Sequence, residues 1–158
     1  TVCSFAQSFA YVDSEYVLEQ MPAYKEAQGQ LDNTVETWNK EVQQKRKSID
    51  EAYKAYQAEQ VLLSENERLQ REDNIVKMEN GMRDFQKQKF GPNGELHKKR
   101  QDLVKPIQDE VYQTIETVAG RKKIDFILDK SSGVAILYAN PKYDITDDIL
   151  RELGISGK

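Results

Sequence analysis

Across residues 23–118, apolar side chains recur at the spacing of paired helices. On an outward limb every seventh residue is apolar, at Val35, Val42, Ile49, Tyr56 and Leu63, and a second series, Tyr24, Leu31, Trp38 and Ala52, runs three to four residues away. Such alternating steps keep one stripe turned toward a partner helix, the seam of a coiled coil. Polar Gln28, Lys45 and Glu59 fall on core positions. A zipper of this composition is weak alone and needs support from elsewhere in the chain.

Pro22 suits a first helical turn, where a missing N–H is no loss, so the limb is expected to run from there toward Leu62. About 40 residues at about 1.5 Å each make a rod of roughly 60 Å, weakened only locally by Gly29. Ser64 and Glu67 then form an S-x-x-E capping box, which places the tip of a helical hairpin near residues 62–66. A helix running uninterrupted past Ser64 is the alternative. The returning limb carries Leu69, Ile75, Met78, Met82 and Phe85, until Gly91, Pro92 and Gly94 break it. That break competes as the tip but would leave very unequal limbs, so a loop-out at 90–95 is preferred. Helix resumes near Glu95 with Leu96, Leu103, Ile107, Val111 and Val118 on one face, widened by Val104 and Ile115. Pro106 inside this pattern is expected to kink the rod.

The chain ends read differently. Phe9–Val12 is β-prone, and Asp13 or Ser14 offers a cap for a short helix through Gln20. Gly120 is the expected stop of the long limb. Runs 124–128 and 134–138, joined by residues 130–133, predict a β-hairpin. Thr146 is placed to cap a last helix over 147–153, ended by Gly154. The fold class is thus α+β, mostly α: a long antiparallel coiled-coil helical hairpin over 23–118, projecting from a small β-rich oligomerisation body made of 7–22 and 119–158. Three strands with open edges on so thin a core predict an oligomer that buries those edges.

Composition agrees with this outline. Of 158 residues, 38% are hydrophobic and 32% charged, too few apolar groups for an ordinary spherical core. The net charge of −4, with both signs interleaved, leaves no polycation for nucleic acid. No apolar run reaches the roughly 18–20 residues that span a bilayer, so no stable membrane insertion is expected. The opening Thr1-Val2-Cys3-Ser4-Phe5-Ala6 reads as a signal-peptide remnant, with Ser4 and Ala6 at the small-residue sites before cleavage at Gln7. Cys3 is the one cysteine, so no internal disulfide can form. Lipidation of Cys3 is the competing reading, against which stands the bulky Val2.

Taken together, the order strand, long helical hairpin, strand pair and closing helix resembles the Skp (OmpH-like) family of periplasmic chaperones, in its Bacteroidetes-type versions. The residues that carry the likeness are Ala10-Tyr11-Val12-Asp13-Ser14-Glu15-Tyr16, Ile124-Asp125-Phe126-Ile127-Leu128-Asp129 and Asp144-Ile145-Thr146-Asp147-Asp148-Ile149-Leu150. The resemblance implies a periplasmic homotrimer whose β-rich ends form a shared barrel. Helical tentacles around a cavity would hold unfolded outer-membrane proteins there without ATP. The family's better-known tentacles are strongly basic; here acids and bases nearly balance. Clusters at Lys45-Arg46-Lys47, Lys87 with Lys89, and Lys98-Lys99-Arg100 read as solvated helix faces, and no lipopolysaccharide site carries over.

Within that frame, client contact is assigned to Tyr53, Tyr56, Leu62 and Leu63 near the tip, and to Met78 and Met82, whose unbranched side chains fit many shapes but also suit the seam. The oligomerisation face is assigned to Phe9, Tyr11, Val12, Phe126, Leu128, Ile136 and Tyr138. No catalytic, cofactor or metal site is expected. His97 stands without a second histidine or a nearby cysteine, Asp125 and Asp129 read as strand-edge acids, and no glycine-rich phosphate loop follows a strand. A structural coiled-coil adaptor or spacer of the cell envelope is the alternative function.

Overall fold

The computed structural model describes residues 7–133 and 135–155. The expected cleavage site at Ser4 and Ala6, Cys3 and Val134 lie outside the described residues. The chain divides into two compact units, one drawn from Thr1–Gln28 and Asp102–Lys158, the other Gly29–Gln101.

In the first unit, strand β1 (Phe9–Val12) leads into helix α1 (Ser14–Gln20). Asp13 caps α1 by accepting from the Tyr16 N–H at 3.0 Å. Helix α2 (Pro22–Glu59) starts on its proline, as its fixed φ favours. The chain re-enters this unit within helix α4 (Glu95–Lys122), then forms strand β2 (Phe126–Asp129), a single 3-10 turn (Pro141–Tyr143) and helix α5 (Thr146–Glu152). β1 and β2 pair in parallel, Phe9 opposite Phe126 and Val12 opposite Asp129. Hydrogen bonds from Asp125 N to Ser8 O, 3.0 Å, and from Lys130 N to Val12 O, 2.8 Å, extend the ladder at both ends. Because strand side chains alternate, Ala10, Val12 and Ile127 enter the core. There they meet Val17 of α1, Val111 and Val118 of α4, and Ile149 and Leu150 of α5.

This pairing corrects the expected hairpin. Residues 135–138 form no strand among the described residues, and Leu137 and Tyr138 are almost fully exposed. β2 finds its partner in β1 instead, and the residues after it curl into a turn in which Ser132 N and Oγ both reach the Asp129 carbonyl, at 3.3 and 2.7 Å. Two helix boundaries also move. Gly120 lies inside α4, which stops at Lys123 in the left-handed region, φ 57°. Ile124 N reaches Ala119 O and Lys123 N reaches Gly120 O, a Schellman end. Gly154, φ 72°, ends α5 in the same way, as expected. Thr146 is the first residue of α5 rather than its cap. Its N–H is taken by Asp144 Oδ1 at 2.9 Å, and its own Oγ1 accepts from Asp13 N at 3.0 Å, so the hydroxyl ties the first turn of the chain to the last helix.

The second unit holds most of α2, the whole of α3 (Glu65–Phe90) and the start of α4. α2 ends at Glu59, short of Leu62, and Ser64 caps α3 with the full capping box, Glu67 reaching back to Ser64 N at 2.8 Å. Leu31, Val42 and Ile49 are buried on α2, with Val35, Trp38, Ala52 and Tyr56 half-buried, so the seam runs where its spacing puts it. Contacts between α2 and α3 are antiparallel: Tyr56 meets Glu72 and Trp38 meets Phe90, eighteen residues apart on each helix. Beyond Phe90 the register jumps, since Lys99 Nζ bonds Thr34 Oγ1 at 2.8 Å, nine residues on along one limb against four along the other. The non-helical residues 91–94 absorb the difference. α4 continues through Pro106 without a break.

Glycine substitutions separate the helices from the break. Gly29 and Gly81 sit in exposed helix with open space around them, so Gly29→Ala and Gly81→Ala should each raise stability by about 0.5–1 kcal/mol in denaturant titrations. Gly94→Ala should lower it, because its Cβ would meet Gln88 O at 2.8 Å and Lys89 O at 2.9 Å. In the core, Ile149→Ala should cost about 2–5 kcal/mol.

Candidate functional site

Two surfaces stand out, each within one unit. In the first unit the outward face of the two-stranded sheet is apolar. Phe9 and Phe126 stack with ring centroids 5.4 Å apart, yet 51% and 53% of each residue is exposed. Leu128 is exposed and Tyr11 half-buried on the same face. Exposed aromatic pairs on a strand face are seldom left in water, since covering them is what drives association. Of the other residues assigned to oligomerisation, Tyr138 is exposed and Ile136 half-buried. Val12 is corrected: at the alternate position of β1 it is buried in the core and cannot meet another chain. Leu137, almost wholly exposed, was not singled out by its position in an apolar run.

Behind the sheet, Asp129 gathers donors from both ends of the chain. Its Oδ2 accepts from Ser14 Oγ at 2.6 Å, and its Oδ1 from Ser131 Oγ at 2.7 Å, Ser131 N at 3.0 Å and Ser14 N at 3.2 Å. Burial, the largest single influence, pushes this carboxyl up, but the hydrogen bonds from Ser14 and Ser131 together outweigh it and hold it below its ordinary 3.8. Asp125 occupies a separate cluster, accepting from Ser8 N at 2.8 Å. The two acids are therefore neither a catalytic pair nor loose strand-edge charges. Each pins β1 to β2 at one end of the ladder.

In the second unit the exposed groups gather near the turn between α2 and α3. Val61 and Leu62 are each 84% exposed, Tyr53 is exposed and Leu63 half-buried. Tyr56 is half-buried and donates to the Glu72 carboxylate, which holds its hydroxyl above the ordinary range, with partial burial adding to this. Met78 and Met82 lie half-buried on the α3 face that also carries buried Ile75. Spacing groups Leu69 with the seam of the returning limb and does not single out Val76. Both are exposed on α3, at 59% and 50%, because they fall on the far side of the helix from that face.

None of the three basic clusters is a solvated face throughout, Lys99 being half-buried on Thr34. Lys89 Nζ lies 4.9 Å from the Trp38 ring centroid and 5.6 Å from that of Phe85, and pairs with Glu95 Oε2 at 2.5 Å. Lys45 Nζ sits 5.2 Å from the Phe85 centroid. The hydrogen bond from Lys89, opposed by some burial, leaves the Glu95 carboxyl below its usual range. His97 is exposed on α4. Among the described residues no group of three or more His, Cys, Asp or Glu is placed to hold a metal ion, and no helix is long and apolar enough to cross a membrane.

Comparisons with known proteins bear on the family and the fold. The family model described as "Outer membrane protein (OmpH-like)" matches residues 8–153. A protein of Aquifex aeolicus (strain VF5), itself described only as uncharacterized, is 30% identical over 150 residues, which cover 95% of this chain and 88% of that one. A crystal structure from Caulobacter crescentus CB15, described as a "putative outer membrane chaperone (OmpH-like)", matches with a TM-score of 0.77 at 19% identity, over 97% of this chain and 87% of the other.

Acid should expose the role of Asp129. Its carboxyl is lowered on folding, so the stability it contributes is present above about 3.8, its unfolded value, and is lost as pH falls through the lowered folded value. Asp129→Asn should cost about 1–3 kcal/mol at pH 7, because an amide cannot accept all four donors, and urea midpoints should show a smaller loss between neutral and acid pH than in the wild type.

Proposed function

Because the chain belongs to the OmpH-like outer membrane protein family, whose model it matches over residues 8–153, we propose that it is an ATP-independent holding chaperone of the periplasm. Its clients are unfolded outer-membrane β-barrel proteins, kept from aggregating between the helical hairpins of a homotrimer. The observation that carries this reading is how the exposed apolar groups divide. One set, Phe9, Phe126 and Leu128, lies on a flat sheet face suited to permanent burial against further copies. The other, Val61, Leu62, Leu69 and Val76, is spread along a helical turn and one helix, where no flat interface is offered.

Spread contacts of that kind suit a holder. Each half-exposed aliphatic side chain contributes at most about 1.5–3 kcal/mol when fully covered, and ordering a flexible client offsets much of this. Single contacts are therefore short-lived and only several together retain the client. Release then needs no nucleotide, only a better partner, which mass action supplies. A two-stranded sheet with its aromatic face in water, in contrast, suits a lasting assembly. Covering Phe9 and Phe126 removes apolar area from solvent without new unsatisfied backbone groups.

Light scattering of the chain, alone and mixed with a urea-unfolded outer-membrane β-barrel, tests both parts. The expected result is a mass three times that of the 18.3 kDa chain and a soluble complex with the client, formed without ATP. A monomer that leaves the client to precipitate points to the envelope adaptor and ends the holding role. Phe126→Asp should shift the mass toward the monomer while the helical signal is retained, since the ring it removes stands outside the core.

A further inference from the structure

Resting on the holding role above, we infer that the region around the α2–α3 turn selects client segments in which a short apolar stretch is flanked by lysine or arginine. Leu62, Leu69 and Val76 stand at steps of seven, and all three are at least half exposed. On α3, Leu69 and Val76 share a face, and α2 does not use it: the half-buried and buried residues Ile75, Met78, Met82 and Phe85 lie about 150° round the helix, on the nearly opposite face. The strip is therefore a second apolar line, on the far side of α3 from a seam that already has its partner.

Its surround is acidic. Residues 59–79 contain six acidic and three basic side chains, a net −3, whereas the rest of 29–101 contains seven acidic and eleven basic, a net +4. The near-balance of the whole chain hides this separation. Glu65, Glu72 and Asp73, which flank the strip on α3, are all exposed. Pairing with Tyr56 or Lys77 orients Glu72 and Asp73 and leaves the local charge negative. From Leu69 to Val76 is about 10 Å along the helix, room for about three residues of extended chain at about 3.3 Å each. A segment that lays three or so apolar residues there brings its flanking side chains over the carboxylates. Cationic flanks are attracted and anionic ones repelled, so charge decides between segments of equal hydrophobicity.

The probes are fluorescein-labelled unstructured peptides with one Leu-rich centre and flanks of Lys, Ser or Glu, titrated against the full chain. At low salt the Lys-flanked peptide is expected to bind about tenfold more tightly than the Glu-flanked one, the gap narrowing at about 0.5 M salt as screening shortens the field. Leu69→Ser with Val76→Ser should weaken the Lys-flanked peptide at least about fivefold with unchanged helical signal. Glu65→Gln with Asp73→Asn, which removes charge without touching the strip, should instead shrink the Lys-over-Glu preference. Equal binding of the two peptides, or a preference for Glu, overturns the inference. Holding of a urea-unfolded β-barrel is followed in parallel. A wild-type chain that holds it, with Leu69→Ser and Val76→Ser together holding it equally well, overturns the strip alone. A wild-type chain that lets it precipitate overturns both the strip and the holding role.

Discussion

The parallel pairing of β1 with β2 is the constraint on which the first unit depends. Parallel strands cannot be joined by a tight turn, so everything from Asp13 to Asp125 must leave and come back before the ladder closes. Once closed, the ladder sets the turn after β1 against the turn after β2. Ser14 and Ser131 then converge on Asp129, and Asp13 N reaches Thr146 Oγ1 of α5. Polar groups that would be orphaned at three separate chain turns thus satisfy one another. The same ladder sorts the strands by face. Ala10, Val12 and Ile127 enter the core, while Phe9 and Phe126 are left stacked in solvent on the other face.

The helices were legible in the sequence because their signal is a repeat sustained over many turns. Leu31, Val42 and Ile49 are buried where a seven-residue spacing puts them, and Ser64 with Glu67 marks the start of α3 to the residue. Strand partners were not legible. Alternation tells which side chains of residues 124–128 share a face and says nothing about whether the next β-prone run or one far upstream will pair with them. The run at 135–138 has strand composition but no ladder among the described residues. Helix ends followed hydrogen-bond geometry more closely than residue type. Lys123 takes the left-handed position that glycine would usually fill, with Gly120 three residues too early, and α5 has Ile145 at its cap position, the Thr146 N–H being met by Asp144 from outside the helix.

The candidate surfaces were legible in outline for a related reason. Phe9, Phe126 and Leu128 follow from which alternate residues of a strand the core rejects. Val12 was misassigned because without the partner strand its face could not be fixed. Leu69 was grouped with the seam since it is apolar and near the right interval, but one helical position is about 100° of rotation, enough to move a side chain from a packed face to an open one. Charge was misleading for a different reason. A near-zero balance over a long helix pair conceals an acidic segment beside a basic one, and only the placement of the turn at 60–64 shows which acids surround the exposed aliphatic groups.

Lys89 shows how an apparent defect in the second unit has a structural use. Ile75, Met82, Lys89 and Leu96 are seven residues apart, so a lysine occupies a core position of the returning limb just before the chain breaks. Its side chain is only 17% exposed. A cation there is tolerable only if its stem packs and its charge is met. The rings of Trp38 and Phe85 do the first, and Glu95, across the break, does the second. Glu95 can reach Lys89 because residues 91–94 turn tightly, with Gly94 N on Gly91 O at 2.8 Å, and Gln88 Nε2 grips its other carboxylate oxygen at 2.9 Å. A slip of α3 along α2 by one turn would take Lys89 from Trp38 and forfeit that cation–π contact. An apolar residue at the same position would pack in several registers almost equally well, so the polar one costs some stability and leaves a single alignment.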